Sequence, residues 1–270
     1  NMPLLNSEIL PIYLLFLARN TTFASMKHMV FLLALLLVPC VLRAQKSISS
    51  ERIEVTAFHD LHPNTKAMSV IAPYKVAVDS VMAPIVGRSL VALSSARHES
   101  LLSNWAADVL VECSDYDGGK CADLGIINIG GLRSNMPKGL VRRGDILLIS
   151  PFQNRLNVLY FKGDALLELM NDIASTGGEG VSREVRMRIT ADKKLVDVTV
   201  SGQPIDPERI YRVATLDYLA EGNDGLVSMK KAQQVKGSDL MTRDCMVNNI
   251  QRKGVITSQM EGRITIVENP

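Results

Sequence analysis

Two spacings of hydrophobic residues recur along the chain, and each spacing predicts one kind of element. In the segment "ESLLSNWAADVLVE", apolar side chains return every three or four positions, which indicates a helix with one apolar face. Strict alternation in "VSREVRMRIT" and "LVDVTVSG" is typical of half-buried strands, and we expect these two segments to pair antiparallel. The apolar stripe of the helix consists of Leu101, Leu102, Trp105, Val109 and Leu110.

The remaining patterns continue this succession of strands and helices. Asn64 and Thr65 are candidate caps for a helix that Pro73 interrupts, and Gly254 is a stop signal for the last helix. We predict strands over 52–58, 88–94, 123–129, 154–161 and 262–268, and a strand that runs into a loop over 207–220. We predict helices over 65–85, 163–176 and 237–254, and a short helix or turn over 142–152. This mixed order predicts an α/β (α+β) fold, with a single domain formed by a mixed β-sheet and flanking helices.

The amino-terminal part has the layout of a secretory signal. The segment 26–44 has a positive charge at Lys27, an apolar run over 29–38, a helix breaker at Pro39 and a small residue at Ala44. We therefore expect a signal peptide over 26–44, and an exported protein whose compartment is the periplasm. Because the apolar run is too short to span a bilayer comfortably, we expect no stable membrane span in the mature chain.

Two further expectations concern the same end of the chain. The stretch "LVPC" loosely resembles a lipobox, so a lipid anchor through Cys40 is the alternative to a free exported protein, although the proline before the cysteine departs from that pattern. Residues 1–25 contain a second short apolar run, and we expect them to be an over-extended start. The folded domain is then expected to cover 45–270.

Charge and cysteine content narrow the functional classes. The chain is 47% hydrophobic and 21% charged with a formal net charge of +2, so there is no electrostatic reason to expect nucleic-acid binding. Export permits a disulfide, and Cys113 and Cys121 bracket a turn-rich loop that such a bond could clip. Cys245 lies in a helical pattern, where we expect a buried free thiol. These spacings do not make a zinc site.

No complete catalytic centre stands out in the sequence. The segment "FHDLHP" places His59, Asp60 and His62 close together, which would suit metal ligands, but no carboxylate cluster follows downstream. A metal enzyme that uses these three residues is the weakest of three hypotheses. We find no serine elbow, no phosphate-binding P-loop and no H-E-x-x-H motif.

Three polar loops carry groups that suit a small ligand. The two glycines of "NIGGLR" let the backbone approach a ligand closely, and Arg133 adds a permanently charged, bidentate donor. The loop "SPFQN" offers an aromatic ring and an amide, and "DYLAEGNDG" offers a second ring and an aspartate. Taken singly, each loop is also explained as a turn or as a core aromatic.

In this order, "INIGGLR", "SPFQN" and "IYRVATLDYLAEGNDG" resemble the carboxyl-terminal domain of the bacterial and animal 5′-nucleotidases. The segment "ESLLSNWAADVL" is similar to a Glu-x-x-x-x-Asn helix near the start of that domain, and the resemblance covers 69–268. It implies the fold of that domain, which binds the nucleoside part of the substrate. In the family, a separate amino-terminal metallophosphatase domain carries two metal ions and the catalytic histidine dyad.

The resemblance also implies roles for individual residues. Phe152 and Tyr218 would sandwich the base, although the family usually has phenylalanine at the second position. Asp224 would accept hydrogen bonds from the ribose hydroxyls, in a loop where Asn223 replaces the family's second glycine. The other implied nucleotide contacts are Asn128, Arg133, Asn154 near the base, and Arg97, which is the nearest match to a family arginine at a different spacing.

The resemblance further implies a division of labour. The leading hypothesis is an exported nucleotide-recognition domain that takes part in nucleotide catabolism with a separately encoded metallophosphatase subunit, which cleaves the phosphate ester. We expect no catalytic residue, metal ligand or cofactor in this chain, and divalent metals only in the partner. The alternative is a stand-alone module that binds a nucleoside or nucleotide and hydrolyses nothing.

Overall fold

The computed structural model describes residues 49–54, 56, 61, 63–115 and 120–268. The chain divides into two units, 1–63 and 64–270. In the first unit, positions 51–54 and 56 have no regular structure, so the strand predicted over 52–58 is wrong at its described positions. The described side chains there are exposed, so burial does not stabilise a strand at these positions.

The second unit contains the elements that form the fold. Its helices are α1 (Thr65–Met82), α2 (Leu101–Cys113), α3 (Arg143–Ile149), α4 (Gly163–Ser175), α5 (Asp217–Ala220) and α6 (Thr242–Lys253). Its strands are β1 (Ile85–Ser89), β2 (Leu124–Ile127), β3 (Gly139–Arg142), β4 (Arg155–Lys162), β5 (Gly180–Val181), β6 (Val185–Thr190), β7 (Leu195–Val200), β8 (Gln203–Pro204), β9 (Ile210–Leu216), β10 (Gln234–Met241), β11 (Val255–Ile256) and β12 (Ile264–Val267).

The strands form three sheets, and the predicted mixed α/β architecture is confirmed. The largest sheet has the order β10-β4-β9-β2-β5, in which β4 and β9 are antiparallel whereas β9 and β2 are parallel. A second sheet has the order β12-β6-β7-β8, and its β6–β7 pair is the antiparallel pairing expected from sequence. A third, three-stranded sheet has the order β11-β1-β3.

Helix α2 packs on the largest sheet along the stripe that its sequence predicts. Leu102, Trp105, Val109 and Leu110 are buried, and Leu101 is partly buried. The helix approaches β2 closely at Gly125, where an added Cβ atom would lie 2.5 Å from the backbone oxygen of Ala107. Only glycine permits this separation, so the small residue in β2 sets the distance between helix and sheet.

Helix α1 begins where its sequence predicts. The side chain of Asn64 accepts a hydrogen bond from the backbone N–H of Ala67 at 3.0 Å, as an N-cap does. The predicted interruption at Pro73 is wrong, because the helix continues through this residue to Met82. An interior proline removes one N–H donor and crowds the carbonyl four residues earlier, but neither effect ends this helix. No residue of α1 is buried.

Two other predicted boundaries are wrong. The strand predicted over 88–94 lies at Ile85–Ser89, three residues earlier. The last helix, predicted from 237, begins at Thr242, because residues Gln234–Met241 form β10 at the edge of the largest sheet and pair with β4. The predicted stop at Gly254 is confirmed, since this glycine caps α6 at a φ of 68°.

A disulfide joins Cys113 to Cys245, with Cα atoms 6.1 Å apart. The suggested Cys113–Cys121 clip and the free thiol at Cys245 are therefore both wrong, and Cys121 is free and exposed. The physical reason is the packing of α2 against α6, which places Cys113, at the end of α2, beside Cys245 in the first turn of α6. This bond connects two helices that are distant in sequence.

A buried ionic cluster fastens the end of the chain to α2. The Arg263 guanidinium donates to both carboxylate oxygens of Asp108, at 2.8 and 2.9 Å, and to Glu261 at 2.9 Å. Glu99 accepts hydrogen bonds from the backbone N–H groups of Glu261 and Arg263 and from the Asn104 amide. The hydrogen bonds compensate charges that would otherwise be costly to bury.

Candidate functional site

Three loops meet at one end of the largest sheet and enclose a cavity. The first follows β2, the second follows α3, and the third follows β9 through the short helix α5. Because β2 and β9 are neighbouring parallel strands, their carboxyl ends lie side by side, as in other open sheets that bind ligands at strand ends. The cavity has a volume of about 340 Å³ and is lined by Asn128, Gly130, Gly131, Arg133, Phe152, Asn154, Tyr218 and Asp224.

This lining contains six of the seven residues that the sequence singled out. Phe152 is 40% exposed and Tyr218 is 41% exposed, so neither ring is packed in the core. The guanidinium of Arg133 lies over the Phe152 ring, with its central carbon 5.3 Å from the ring centroid. The two rings therefore offer accessible apolar surface to a planar ligand, and Arg133 holds a positive charge at the edge of that surface.

Asp224 is the centre of a small hydrogen-bond network in the cavity. Its two carboxylate oxygens accept from the Asn128 side-chain amide at 2.5 Å and from the Tyr218 hydroxyl at 2.8 Å. The hydrogen bond to Asp224 is the main cause of a raised pKa for the Tyr218 phenol. Asp224 itself has a φ of 55°, which the turn between Gly222 and Gly225 imposes on it.

Asn128 has an unused acceptor in this network. The residue is buried, and no group among the described residues donates a hydrogen bond to its Oδ1 atom. Gly131 lies directly against the amide, since an added Cβ atom there would be 2.7 Å from Oδ1. A buried polar atom without a partner is unusual in proteins, and this oxygen faces the backbone of its own loop at Gly131.

Arg97, the seventh predicted residue, does not line the cavity. Its guanidinium donates to the backbone oxygens of Thr176 and Gly178, at 2.9 and 2.6 Å. It also forms an ion pair with Glu179, with the nearest nitrogen and oxygen 2.6 Å apart. Arg97 is therefore linked to the first loop through Glu179, which accepts a hydrogen bond from the backbone N–H of Ile129.

Glu179 is a residue of this region that the sequence analysis missed. It is only 1% exposed, and one of its carboxylate oxygens accepts from the backbone N–H of Ile129 at 2.7 Å. Burial raises the pKa of this carboxyl, although the Ile129 hydrogen bond and the Arg97 charge oppose the rise. Glu179 thus supports the loop that carries Asn128. No motif marks it, and its position among glycines is the only signal in the sequence.

The cavity can bind and orient a ligand. It combines two aromatic rings, two amides, one carboxylate and one guanidinium, which suit a planar polar heterocycle that carries hydroxyl and anionic groups. Among the described residues, no group of three or more His, Cys, Asp or Glu side chains is placed to hold a metal ion. His59, Asp60 and His62 lie outside the described residues.

The region 71–232 matches a sequence profile described as "5′-nucleotidase, C-terminal domain", which covers more than half of the chain. Among characterised relatives, an apyrase of Tabanus yao is 27% identical over 168 residues, covering 54% of this chain. Protein UshA of Escherichia coli is 25% identical over 182 residues, covering 65% of this chain. The crystal structure of a 5′-nucleotidase precursor from Thermus thermophilus covers 76% of this chain, with a TM-score of 0.68 and 25% identity.

These relatives are much longer than the region that they share with this chain. The match spans 30% of the apyrase, 32% of UshA and 44% of the Thermus protein. The shared part is the carboxyl-terminal domain, as the description of the matching profile states. No helix within the described ranges, including 63–115 and 120–268, is long and apolar enough to cross a bilayer.

Proposed function

This chain belongs to the family of 5′-nucleotidase C-terminal domains, and from that premise we propose that its cavity binds the nucleoside part of a nucleotide. Membership in this family is consistent with a role in nucleotide catabolism. The observation that carries the proposal is the pair of half-exposed rings, Phe152 and Tyr218, which line one cavity together with an aspartate and two amides.

Each lining group has a task in this proposal. Phe152 and Tyr218 stack on the base, and such stacking contributes about 1–3 kcal/mol per base by alanine substitution. Asp224 accepts hydrogen bonds from the ribose hydroxyls, and Asn128 lines the cavity beside it and orients that carboxylate through its amide N–H. Asn154 faces the base, and Arg133 attracts the phosphate with its positive charge.

Arg97 has a different task from the direct nucleotide contact expected from sequence. Its donors are engaged by Glu179 and by two backbone oxygens, so it positions the loop of Asn128. Glu179 transmits that support through its hydrogen bond from Ile129. We therefore treat both residues as positioning residues.

The hydrolytic step belongs to a separate metallophosphatase subunit in this proposal. Two divalent metal ions there would act as Lewis acids and activate water against the phosphate ester. The described residues of this chain offer no ligand set that fits such a centre, so we assign them no step of the hydrolysis. Export to the periplasm, directed by the segment 26–44, completes the proposal.

Calorimetry with adenosine and AMP tests the binding proposal. We expect Phe152→Ala to weaken binding of both ligands about 5- to 150-fold, which corresponds to the loss of one stacked base at about 1–3 kcal/mol. Tyr74→Ala is the matched control, since this ring on α1 is 72% exposed and lies outside the cavity lining. Unchanged affinity in Phe152→Ala would contradict the proposal.

A second assay tests whether the isolated chain has a hydrolytic centre of its own. The isolated chain is incubated with AMP and manganese or zinc, and released phosphate is measured. We expect no turnover above a protein-free blank. Robust turnover by the isolated chain would refute the assignment of the chemistry to a partner.

A further inference from the structure

Helix α1 exposes a continuous apolar face. Counted at 100° per residue, one side of the helix contains five large apolar residues, which we call the α1 stripe. Each of them is 49–72% exposed. The α1 stripe consists of Val70, Ile71, Tyr74, Val78 and Val81.

The polar and charged residues of α1 all lie outside the α1 stripe. Ser69, Val76 and Ser80 lie on the opposite side. Lys66 lies at one edge of the stripe, and Lys75 pairs with Asp79 at 2.7 Å along the other edge. With 18 residues the helix is about 27 Å long, so the stripe is long enough to meet a partner helix or groove. Contiguous exposed apolar surface of this kind marks interaction sites in soluble proteins.

The α1 stripe continues onto the body of the domain at the carboxyl end of the helix. A groove there is lined by four small or apolar residues and three charged ones, and Leu148 among them is 56% exposed. The lining consists of Met82, Ala83, Gly144 and Leu148 together with Asp79, Arg142 and Asp145. The backbone N–H of Arg143 donates to the oxygen of Pro84 at 2.8 Å, which fixes α3 against the end of α1. The apolar surface therefore rests on a firmly attached element.

Helix α3 connects this surface to the nucleoside cavity. It has seven residues and is about 10 Å long, and the chain leaves it directly into the loop of Phe152. The backbone N–H of Arg133 donates to the oxygen of Ile149 at 2.8 Å, so the same helix end also supports the Arg133 loop. A protein seated on α1 is thus placed near the edge of the cavity where Arg133 lies.

The family match places α1 at the start of the shared domain. The family match begins at residue 71, within α1, and the matched proteins are two to three times longer than the shared carboxyl-terminal region. In a protein with this domain at its carboxyl end, the preceding part of the polypeptide reaches the domain through the segment that corresponds to α1. The helix therefore lies at the junction with that preceding part.

We propose that the α1 stripe is the docking surface for a separate metallophosphatase polypeptide, which presents an apolar helix or groove to it. This inference rests on the proposed function, because it assigns a surface to the partner that hydrolysis requires. A membrane surface fits less well, since interfacial helices are rich in Lys and Arg on their polar face and α1 has only two lysines and one aspartate.

Val78 and Val76 provide a matched pair of substitutions for the test. Val78 belongs to the α1 stripe and is 54% exposed, whereas Val76 lies on the other side of the same helix and is 73% exposed. Lysine is a good helix former, so both changes preserve α1. Each metallophosphatase that the source organism encodes is purified, and its binding to the full chain is measured by surface plasmon resonance.

We expect one metallophosphatase to bind the wild-type chain, and Val78→Lys to weaken this binding tenfold or more because a charge would be buried in an apolar contact. We expect Val76→Lys to bind within about twofold of wild type, as for a surface change outside the interface. Equal binding by wild type and Val78→Lys would refute the docking surface and leave the proposed function intact.

Two other results would also overturn the inference. If no metallophosphatase binds the wild-type chain while adenosine still binds with Phe152 dependence, the partner is wrong and nucleoside binding stands. If sedimentation shows that the chain alone is a dimer that Val78→Lys dissociates, the stripe is covered by a second copy. Melting curves of both variants verify that each is folded before binding is compared.

Discussion

The Cys113–Cys245 disulfide gives a stability prediction that the structure makes quantitative. The two cysteines are 132 residues apart in sequence, so the bond closes a large loop in the unfolded chain. The chain-entropy relation assigns a stabilisation of about 5 kcal/mol to a loop of this size, and measured values are typically about 2–4 kcal/mol. We expect the double variant Cys113→Ala and Cys245→Ala to lose about 2–5 kcal/mol in free energy of unfolding.

Urea unfolding followed by tryptophan fluorescence measures this loss. Trp105 is the only tryptophan of the chain, and it is buried on α2, the helix that ends at Cys113. Reduction of the wild-type protein should shift its unfolding curve toward that of the double variant. Cys121→Ala is the control, because an exposed unpaired side chain changes stability by about 0.5 kcal/mol or less.

The same experiment distinguishes this disulfide from the other pairing. If Cys113 were bonded to Cys121, Cys121→Ala would abolish the bond, whereas Cys245→Ala would leave it intact. A closed loop of only a few residues would also stabilise the domain less than a long one. Equal stability of the double variant and the wild type under oxidising conditions would refute the reasoning from loop length.

Two further predictions concern the carboxylates of the site. Tyr218→Phe removes the hydroxyl that donates to Asp224 and so frees that carboxylate oxygen for a ribose hydroxyl. In calorimetry we expect adenosine to bind a few-fold more tightly, whereas 2′,3′-dideoxyadenosine, which lacks these hydroxyls, binds unchanged. An equal change for both nucleosides would contradict this. Burial raises the pKa of Glu179, so the native state binds a proton more tightly than the unfolded chain, and the contribution of this group to the free energy of unfolding falls as pH rises through the raised pKa. Glu179→Gln should flatten that part of the pH profile in urea unfolding, and a profile identical to wild type would exclude this role.

Six residues that line the cavity could be proposed from the sequence, because each of the three loops carries a local signal. Phe152 and Tyr218 stand next to turn residues at the ends of ordered segments, and their residue types indicate their chemistry. Their convergence depends on strand order, since Asn128 and Asp224 are 96 residues apart. The family resemblance predicts that the loops act together, and the parallel pairing of β2 with β9 brings the ends of these strands side by side.

Other features have no local signal. β10 lies at a sheet edge and its side chains are mostly exposed, so apolar and polar residues do not alternate along it. The helix predicted for α6 therefore included part of this strand. Cys245 finds its partner only through the packing of α2 against α6. Glu179 is missed for a similar reason, because its burial and its contacts with Arg97 and Ile129 come from segments far from it in sequence.

The buried cluster around Arg263 sets the order in which the domain can be completed during synthesis. Asp108 and Glu99 belong to the first third of the folded unit, yet the Arg263 guanidinium and the backbone N–H groups that bind them lie 155 to 164 residues later in the sequence. Until Arg263 emerges, Asp108 has only the half-exposed Arg183 as a cationic partner, and burying these acids is unfavourable. The domain therefore cannot reach its native packing until the segment that contains Arg263 has been synthesised.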